Sequence, residues 1–492
     1  MVPEQKARTQ TNQSELVRAA PPLMIPLDRN SSIPIFRQIY SAIRRDILSA
    51  RLPSGSRLPP TRALADDLKV ARMTVVLAYE HLEAEGYVDG HGSAGTFVAH
   101  LSLPRQTRQS APLMDNGDTV ESELRPAAVP FRLGEPALDA FPMGLWARLH
   151  ARCARRFGTK LLGYGGPNGY LPLRRAIAEY VAISRSVVAT ANQVILVRGA
   201  QQAMDLVARV LLQPEDQVWI EDPGYGAVRS LIELCGAKAV PVPVDKEGLI
   251  VEHGIRQAPK ARMACVAPSH HFPLGRTLSL TRRLALLEWA RKTRAWIVED
   301  DYDSEFRYTG SPIASLQGLD TSGRVIYIGT FSKTIFPALR LGYVIAPAEV
   351  VDQFREVQTT IEYLSPTVEQ ATLTEFIEGG HFTRHVRRMR AIYQERQQAL
   401  LTAAERELDG LLQIEPADTG MHVVGWLSRR GITDSKVSDE AEKRGLEVRA
   451  LSRYCMRVKL PPGVVLGFAA LRPRVLLSGV RTLRSILTEL YS

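Results

Sequence analysis

Lys333 closes the string Gly329-Thr330-Phe331-Ser332-Lys333, and Arg340 follows seven residues later. About thirty residues upstream runs Glu299-Asp300-Asp301-Tyr302. A primary amine among hydroxyls can capture a carbonyl carbon as an imine. The hydroxyls of Thr330 and Ser332, with the planar and permanently charged fork of Arg340, can hold a phosphate. A carboxylate at Asp300 can keep a ring nitrogen protonated, and a phenol at Tyr302 can donate to an oxygen on the same ring. Together these groups suit a phosphorylated heterocyclic aldehyde that acts as an electron sink.

Further pieces stand at fitting places. Gly199-Ala200-Gln201 directly follows the apolar run Val194–Val197, and a helix starting there offers free amides to a dianionic phosphate. Tyr225, in Glu221-Asp222-Pro223-Gly224-Tyr225, is placed to stack on a ring face. The run Trp296–Val298 reads as a strand, which sets Asp300 at a strand's C-terminal end, where α/β sheets bind ligands. Asp301 and Asp303 read as structural or solvated. The pair His270-His271 has no third ligand nearby, so no metal is expected.

These groups need a scaffold. Short β-rich runs at Gln193–Val197, Gln217–Ile220, Ala264–Ala267, Ala295–Val298 and Val325–Ile328 alternate with helical stretches. That alternation predicts an α/β domain: a largely parallel sheet with helices on both faces.

A second constellation lies more than 200 residues earlier. Ile35, Ile39, Ile43 and Ile47 recur at helical spacing behind Pro34, a good helix starter. A short helix over Thr61–Leu68, a tight link at Lys69-Val70 and a longer helix over Arg72–Glu85 follow, the last with Val75, Tyr79 and Leu82 on its inner face. Gly86–Gly90 and Gly92–Val98 read as a hairpin with a glycine-rich tip. Helix, helix, turn, helix and hairpin is the order of a winged helix-turn-helix. In that arrangement Arg72 and Thr74 present the first turn of a recognition helix to DNA. Arg62 starts the preceding helix, Arg57 precedes it in a loop, and His91-Gly92 forms a wing tip narrow enough for a minor groove.

Composition agrees with both readings. Charged residues make up 23% and apolar residues 45% of the 492, ordinary for a soluble protein. The net charge is +10. Residues 1–110 hold 14 basic and 10 acidic side chains, about twice as basic per residue as the remainder. Cys153, Cys235, Cys265 and Cys455 are scattered, which favours a reducing cytoplasm over a disulfide framework. Neither a membrane span nor a signal peptide is apparent.

The string Gly55-Ser56-Arg57-Leu58-Pro59-Pro60-Thr61-Arg62-Ala63-Leu64-Ala65, continued by Leu68-Lys69-Val70-Ala71-Arg72-Met73-Thr74-Val75, resembles the GntR family. The resemblance implies a GntR-type winged helix-turn-helix on double-stranded operator DNA. Ala71 replaces the family's usual serine, and Met73 a small or polar residue; both departures bear on base-specific contacts.

From about residue 130 the chain resembles a fold-type I aminotransferase, which implies pyridoxal 5'-phosphate (PLP) as cofactor. Tyr164, in Gly163-Tyr164-Gly165-Gly166, matches the residue that reaches the phosphate from the partner subunit, implying a homodimer. Pro268-Ser269-His270-His271-Phe272-Pro273-Leu274-Gly275 resembles a loop ending in Asn-Pro-x-Gly, with Phe272 in place of the asparagine. The arginine that clamps an α-carboxylate before a Gly-Phe-Ala strand is missing from Val464–Ala469. Arg449 and Arg453 are the candidates to replace it.

Both resemblances together are those of the MocR/GabR subfamily. The expected layout is a disordered tail over 1–22, a DNA-binding domain over 23–99, a linker over 100–128 and an aminotransferase-like effector domain over 129–492. The resemblance implies a cytoplasmic, head-to-tail dimeric transcription regulator. It would sense PLP, or an amine or amino acid, through an aldimine at Lys333. The alternative is a catalytically active PLP-dependent aminotransferase carrying a DNA-binding module. The intact pocket leaves room for a half-transamination, while the missing arginine argues against efficient turnover. A third reading is a repressor whose large domain only dimerises.

Overall fold

The structure is a computed structural model describing residues 23–29, 31, 33–100, 129–163, 165–166, 168–310, 313–361 and 366–492. It divides into two compact units, Met1–Thr119 and Val120–Ser492. The expected tail and, but for His100, the expected linker lie outside the described residues.

In the first unit, α1 spans Ile35–Leu48 and buries Ile39, Ala42, Ile43 and Ile47, one face of a 3.6-residue period. Helix α2 covers Thr61–Leu68, and α3 covers Arg72–Ala84. Between them Lys69 adopts a left-handed conformation, φ 49°, and the Val70 amide donates to the Ala65 carbonyl at 3.0 Å. This satisfies the last carbonyls of α2 and turns the chain sharply. Helix α3 buries Val75, Ala78, Tyr79 and Leu82, and the Tyr79 hydroxyl donates to Pro59 O at 2.9 Å. Strands β1 (Val88–Gly90) and β2 (Thr96–Val98) pair antiparallel. Their tip is an ordered 3₁₀ turn, Gly92–Ala94. Gly95, at φ +107° and ψ -170°, takes a backbone conformation that glycine alone adopts readily.

The second unit is built on an eight-stranded sheet. Its strands are β3 (Val194–Val197), β4 (Gln217–Asp222), β5 (Lys238–Asp245), β6 (Gly248–Leu249), β7 (Met263–Val266), β8 (Trp296–Asp301), β9 (Val325–Thr330) and β10 (Gly342–Ile345). Their order is β3-β10-β9-β8-β7-β4-β5-β6. The run β9-β8-β7-β4-β5 is parallel. Only β10, between β3 and β9, and the short β6 run against their neighbours.

Alternate residues feed opposite faces, as pleating demands. Ile195 and Val197 pack with Leu206 and Val207 of the helix Ala200–Leu211. Val194 and Leu196 pack with Ile177 and Val181 of the helix Leu171–Arg185. Trp219 and Ala264 meet Leu286 and Ala290 of the helix Leu280–Thr293. Helices therefore cover both faces, and the parallel strands end along one edge.

A smaller antiparallel sheet follows, with β11 (Leu412–Ile414), β12 (His422–Leu427), β13 (Arg449–Ala450) and β14 (Gly463–Gly467) in the order β11-β12-β14-β13. Val423, Val464 and Leu466 pack there with Leu400 and Leu483 of the helices His381–Glu407 and Pro473–Tyr491.

Candidate functional site

A cavity of about 540 Å³ opens at the edge where the parallel strands end. Gly199, Ala200 and Gln201 enter it after β3, Tyr225 after β4, Asp300 and Tyr302 from the end of β8, Thr330 from the end of β9, and Ser332, Lys333 and Arg340 after β9. Residues singled out in four separate stretches of sequence thus share one space. Tyr164 lies outside the described residues.

The Lys333 ammonium donates to the Gly134 carbonyl at 2.8 Å. Burial lowers its pKa, opposed by the charges of Asp303, Asp300 and Glu135. A larger share of nucleophilic amine near neutrality results. Asp300 is its counterpart: burial, with Asp301 and Asp303 adding repulsion against the pull of Lys333, pushes its carboxyl up to about 7. Oδ1 of Asp300 is buried without a hydrogen-bond partner among the described residues. A buried carboxylate oxygen lacking a donor costs roughly 1–3 kcal/mol or more, and a protonated ring nitrogen would supply that donor.

Tyr225 is half exposed at the mouth, where its hydroxyl accepts from Gln201 Nε2 at 3.3 Å. The Ser332 amide donates to Thr330 Oγ1 at 3.1 Å. Arg340 takes a left-handed conformation, φ 50°, directly after the turn Pro337–Leu339. Phe272, standing where an asparagine was expected, lines the cavity and packs edge-on against Tyr454 at 4.9 Å and His422 at 5.3 Å. That wall is hydrocarbon and offers no hydrogen bond.

Asp301 and Asp303 are structural, but neither is solvated. Asp301 receives Arg185 Nε at 2.7 Å and the Tyr327 hydroxyl at 2.6 Å. Asp303 lies 2.9 Å from His270 Nδ1, and the same nitrogen lies 3.0 Å from the Tyr302 hydroxyl. His270 is therefore committed to fixing Tyr302 and Asp303. His271 instead holds the Pro223 carbonyl at 2.9 Å.

Sequence reasoning missed three neighbours. Gly134, at φ +67°, accepts from Lys333, and a Cβ there would lie 2.3 Å from Nζ. Its string Arg132-Leu133-Gly134-Glu135-Pro136 sits where the polar linker gives way to apolar texture, a signal that was available. Glu221 is half-buried near the end of β4 and pushed up to about 8 by desolvation, although the Ala267 amide donates to it at 3.1 Å. Arg198 also lines the cavity.

Arg449 and Arg453 both line this cavity. Arg449 donates to Glu447 at 3.0 Å. The segment carrying them is pinned to the large sheet, because Asp222 accepts the amides of Met456, Arg457 and Val458 at 2.7–3.0 Å.

In the first unit, Arg72 and Thr74 occupy the first turn of α3. Arg72 is exposed and its Nε lies 3.4 Å from Thr61 Oγ1, the first residue of α2. Thr74 is half buried, and Arg62 is exposed on α2. Arg57 leans over the wing, its guanidinium carbon 6.0 Å from the Phe97 ring. His91 packs edge-on against the same ring at 5.5 Å, beside the exposed Gly92.

Residues 36–98 match the family described as bacterial regulatory proteins of the gntR family, and residues 139–456 match aminotransferase class I and II. The probable rhizopine catabolism regulatory protein MocR of Rhizobium meliloti is 40% identical, over 95% of this chain and 97% of its own. The chain belongs to the MocR/GabR subfamily of GntR regulators. The pyridoxine biosynthesis regulator PdxR of Corynebacterium glutamicum is 30% identical over 91% of this chain and 95% of its own. LysN, the α-aminoadipate aminotransferase of Thermus thermophilus, solved with N-(5'-phosphopyridoxyl)-L-leucine, superposes with a TM-score of 0.69 at 27% identity. It covers 76% of this chain and 95% of its own.

This MocR-type regulator is accordingly a PLP-binding, DNA-binding transcription regulator. The residues fit the cofactor on a structural ground: the orphaned Asp300 oxygen, the amine of Lys333 and the exposed Arg340 all face one cavity of sufficient size. No described helix is long and apolar enough to cross a membrane.

Proposed function

We propose that the regulator reads the amine status of the cytoplasm and transmits it to operator DNA as a head-to-tail homodimer. The supporting observation is the pairing of a half-buried lysine amine with a buried, unpartnered oxygen of Asp300 in one cavity, within a chain that also carries a winged helix-turn-helix. Bound there, PLP supplies an aldehyde that condenses with primary amines and a pyridinium ring that withdraws electrons from the bond so formed.

Lys333 would hold the cofactor through Nζ, and Asp300, with its unpartnered oxygen, would receive the ring N–H. Tyr302, steadied by His270, would donate to the ring oxygen, and Tyr225 would cover a ring face. Gly199, Ala200, Gln201, Thr330, Ser332 and Arg340 would enclose the phosphate, and the family resemblance implies Tyr164 of the partner subunit as a further contact. The same cavity that would hold the cofactor leaves room for an effector amine beside Lys333. Asp303 and Asp300 favour the protonated form of a free Lys333, and Gly134 accepts a hydrogen bond from it. Arg453 stands in the same cavity to meet an anionic group on the effector.

On the DNA side, Arg57, Arg62, Arg72, Thr74, His91 and Gly92 form the contact surface. Domain boundaries follow the same logic: 23–99 reads DNA, 100–128 links, and 129–492 senses. The effector acts only as far as it binds one state of the protein better than the other.

The deciding experiment is a spectral titration of the PLP-loaded protein with a panel of amines and amino acids, with and without operator DNA. An effector should move the visible absorption, and its affinity should change by the same factor as it changes DNA affinity. An effector that binds equally with and without DNA would remove the regulatory reading. Rapid multiple turnover with a keto acid would favour the enzyme instead.

A further inference from the structure

Helix α3 turns Val75, Ala78, Tyr79 and Leu82 inward. On its outer side Met73 is 62% exposed and Leu77 39% exposed. Four residues apart, they lie one above the other on a single face. Isolated exposed apolar residues are ordinary, but this pair occupies the first turn and a half of the second helix of a helix-turn-helix. That stretch meets base edges. Arg72 borders the stripe in the same turn, and the stripe stops at Glu80, an exposed carboxylate that a phosphate backbone would repel. The apolar surface is thus continuous with the DNA-contacting surface and confined to its reach.

We propose that Met73 and Leu77 read thymine 5-methyl groups in the major groove. The thymine methyl is the apolar feature that base edges present there, and it distinguishes thymine from the other three bases. An apolar pair sheds water on meeting methyl groups, whereas against the amino group of cytosine it leaves a donor unpaired. The replacement of a small or polar residue by Met73 then sets which operator this regulator prefers. This inference rests on the assignment of α3 as the DNA reader.

The test uses the full-length, PLP-loaded protein. Duplexes are selected from a randomised library, and each thymine of the selected sequence is then replaced singly by deoxyuridine, which removes only the methyl group. At one or two thymines the replacement should weaken binding about fourfold, the factor that burying one methyl-sized group corresponds to. Met73→Ser should erase the penalty at one such position and Leu77→Ser at its neighbour, with affinity for unrelated DNA unchanged. Both side chains are exposed, so neither variant threatens folding.

Deoxyuridine tolerated at every position, or penalties identical in the wild type and both variants, would overturn the proposal. A change of oligomeric state in the serine variants by light scattering would assign the stripe to a second copy of the chain and overturn it too. Failure to enrich any sequence is a different outcome, because it removes the DNA-reading assignment itself.

Discussion

Replacing Asp300 by asparagine should stabilise the cofactor-free protein while weakening its hold on PLP. In the folded chain the Asp300 carboxyl titrates at about 7, against an ordinary 3.8, chiefly because burial disfavours the anion. Below about pH 4 both the folded and unfolded chains keep the proton, and the group costs folding nothing. As the pH rises from 3.8 to about 7 the unfolded chain ionises first, so stability falls across that window. Three units at 1.36 kcal/mol each amount to about 4 kcal/mol lost by pH 8, as an order of magnitude.

The Asp300→Asn variant carries no charge at this position in either state, so it and the wild type should diverge from near equality at pH 4 to about 4 kcal/mol at pH 8. Glu299 and Glu305 are also pushed up, to about 7 each, but they are common to both proteins and cancel in the difference. Glu221, pushed up to about 8 by burial and in part by the Asp300 charge itself, is relieved along with it and shifts the comparison in the same direction. The assay is urea unfolding of the PLP-free proteins followed by tryptophan fluorescence. All five tryptophans fall between positions 146 and 426, so the signal reports on the large unit alone. PLP should then raise the wild type's stability more than the variant's. Parallel pH profiles would refute the idea that Asp300 is a buried charge awaiting a cationic partner.

Gly134→Ala should cost about 1–2 kcal/mol for a side chain in the left-handed region. It should also push Lys333 off the carbonyl, so PLP uptake, followed by visible absorption, should slow; unchanged uptake would show the contact to be dispensable. Lys333→Ala should abolish the absorption band of lysine-bound cofactor while leaving effector-free DNA affinity nearly intact, as measured by fluorescence anisotropy. Loss of both would make the lysine structural. Arg72→Ala should weaken operator binding by about 1–3 kcal/mol if the guanidinium reads a base; an equal loss on every sequence would reduce it to a phosphate contact.

Local signals carried the two constellations, because each depends on residues close in sequence. The bounds of α2 and the start of α3 follow from Pro60, Lys69-Val70 and the apolar period, interactions spanning one or two turns. Asp300 was readable because a strand of known direction delivers its C-terminal residues to the ligand edge. Gly134 escaped notice since its task is defined by a lysine 199 positions away.

The amino-acid string by itself determined which chemistry was available: an amine, a carboxylate, a phenol, a phosphate cradle and a basic reading helix. Side-chain type and helical period do not depend on distant contacts. Only the tertiary structure decided how those groups are poised. The lowered basicity of Lys333, the unpaired oxygen of Asp300, the service of His270 to Tyr302 and the arrival of Arg449 and Arg453 in the cavity all arise from burial and from chain segments meeting across hundreds of residues. Desolvation and proximity are properties of the folded interior, and no local pattern encodes them.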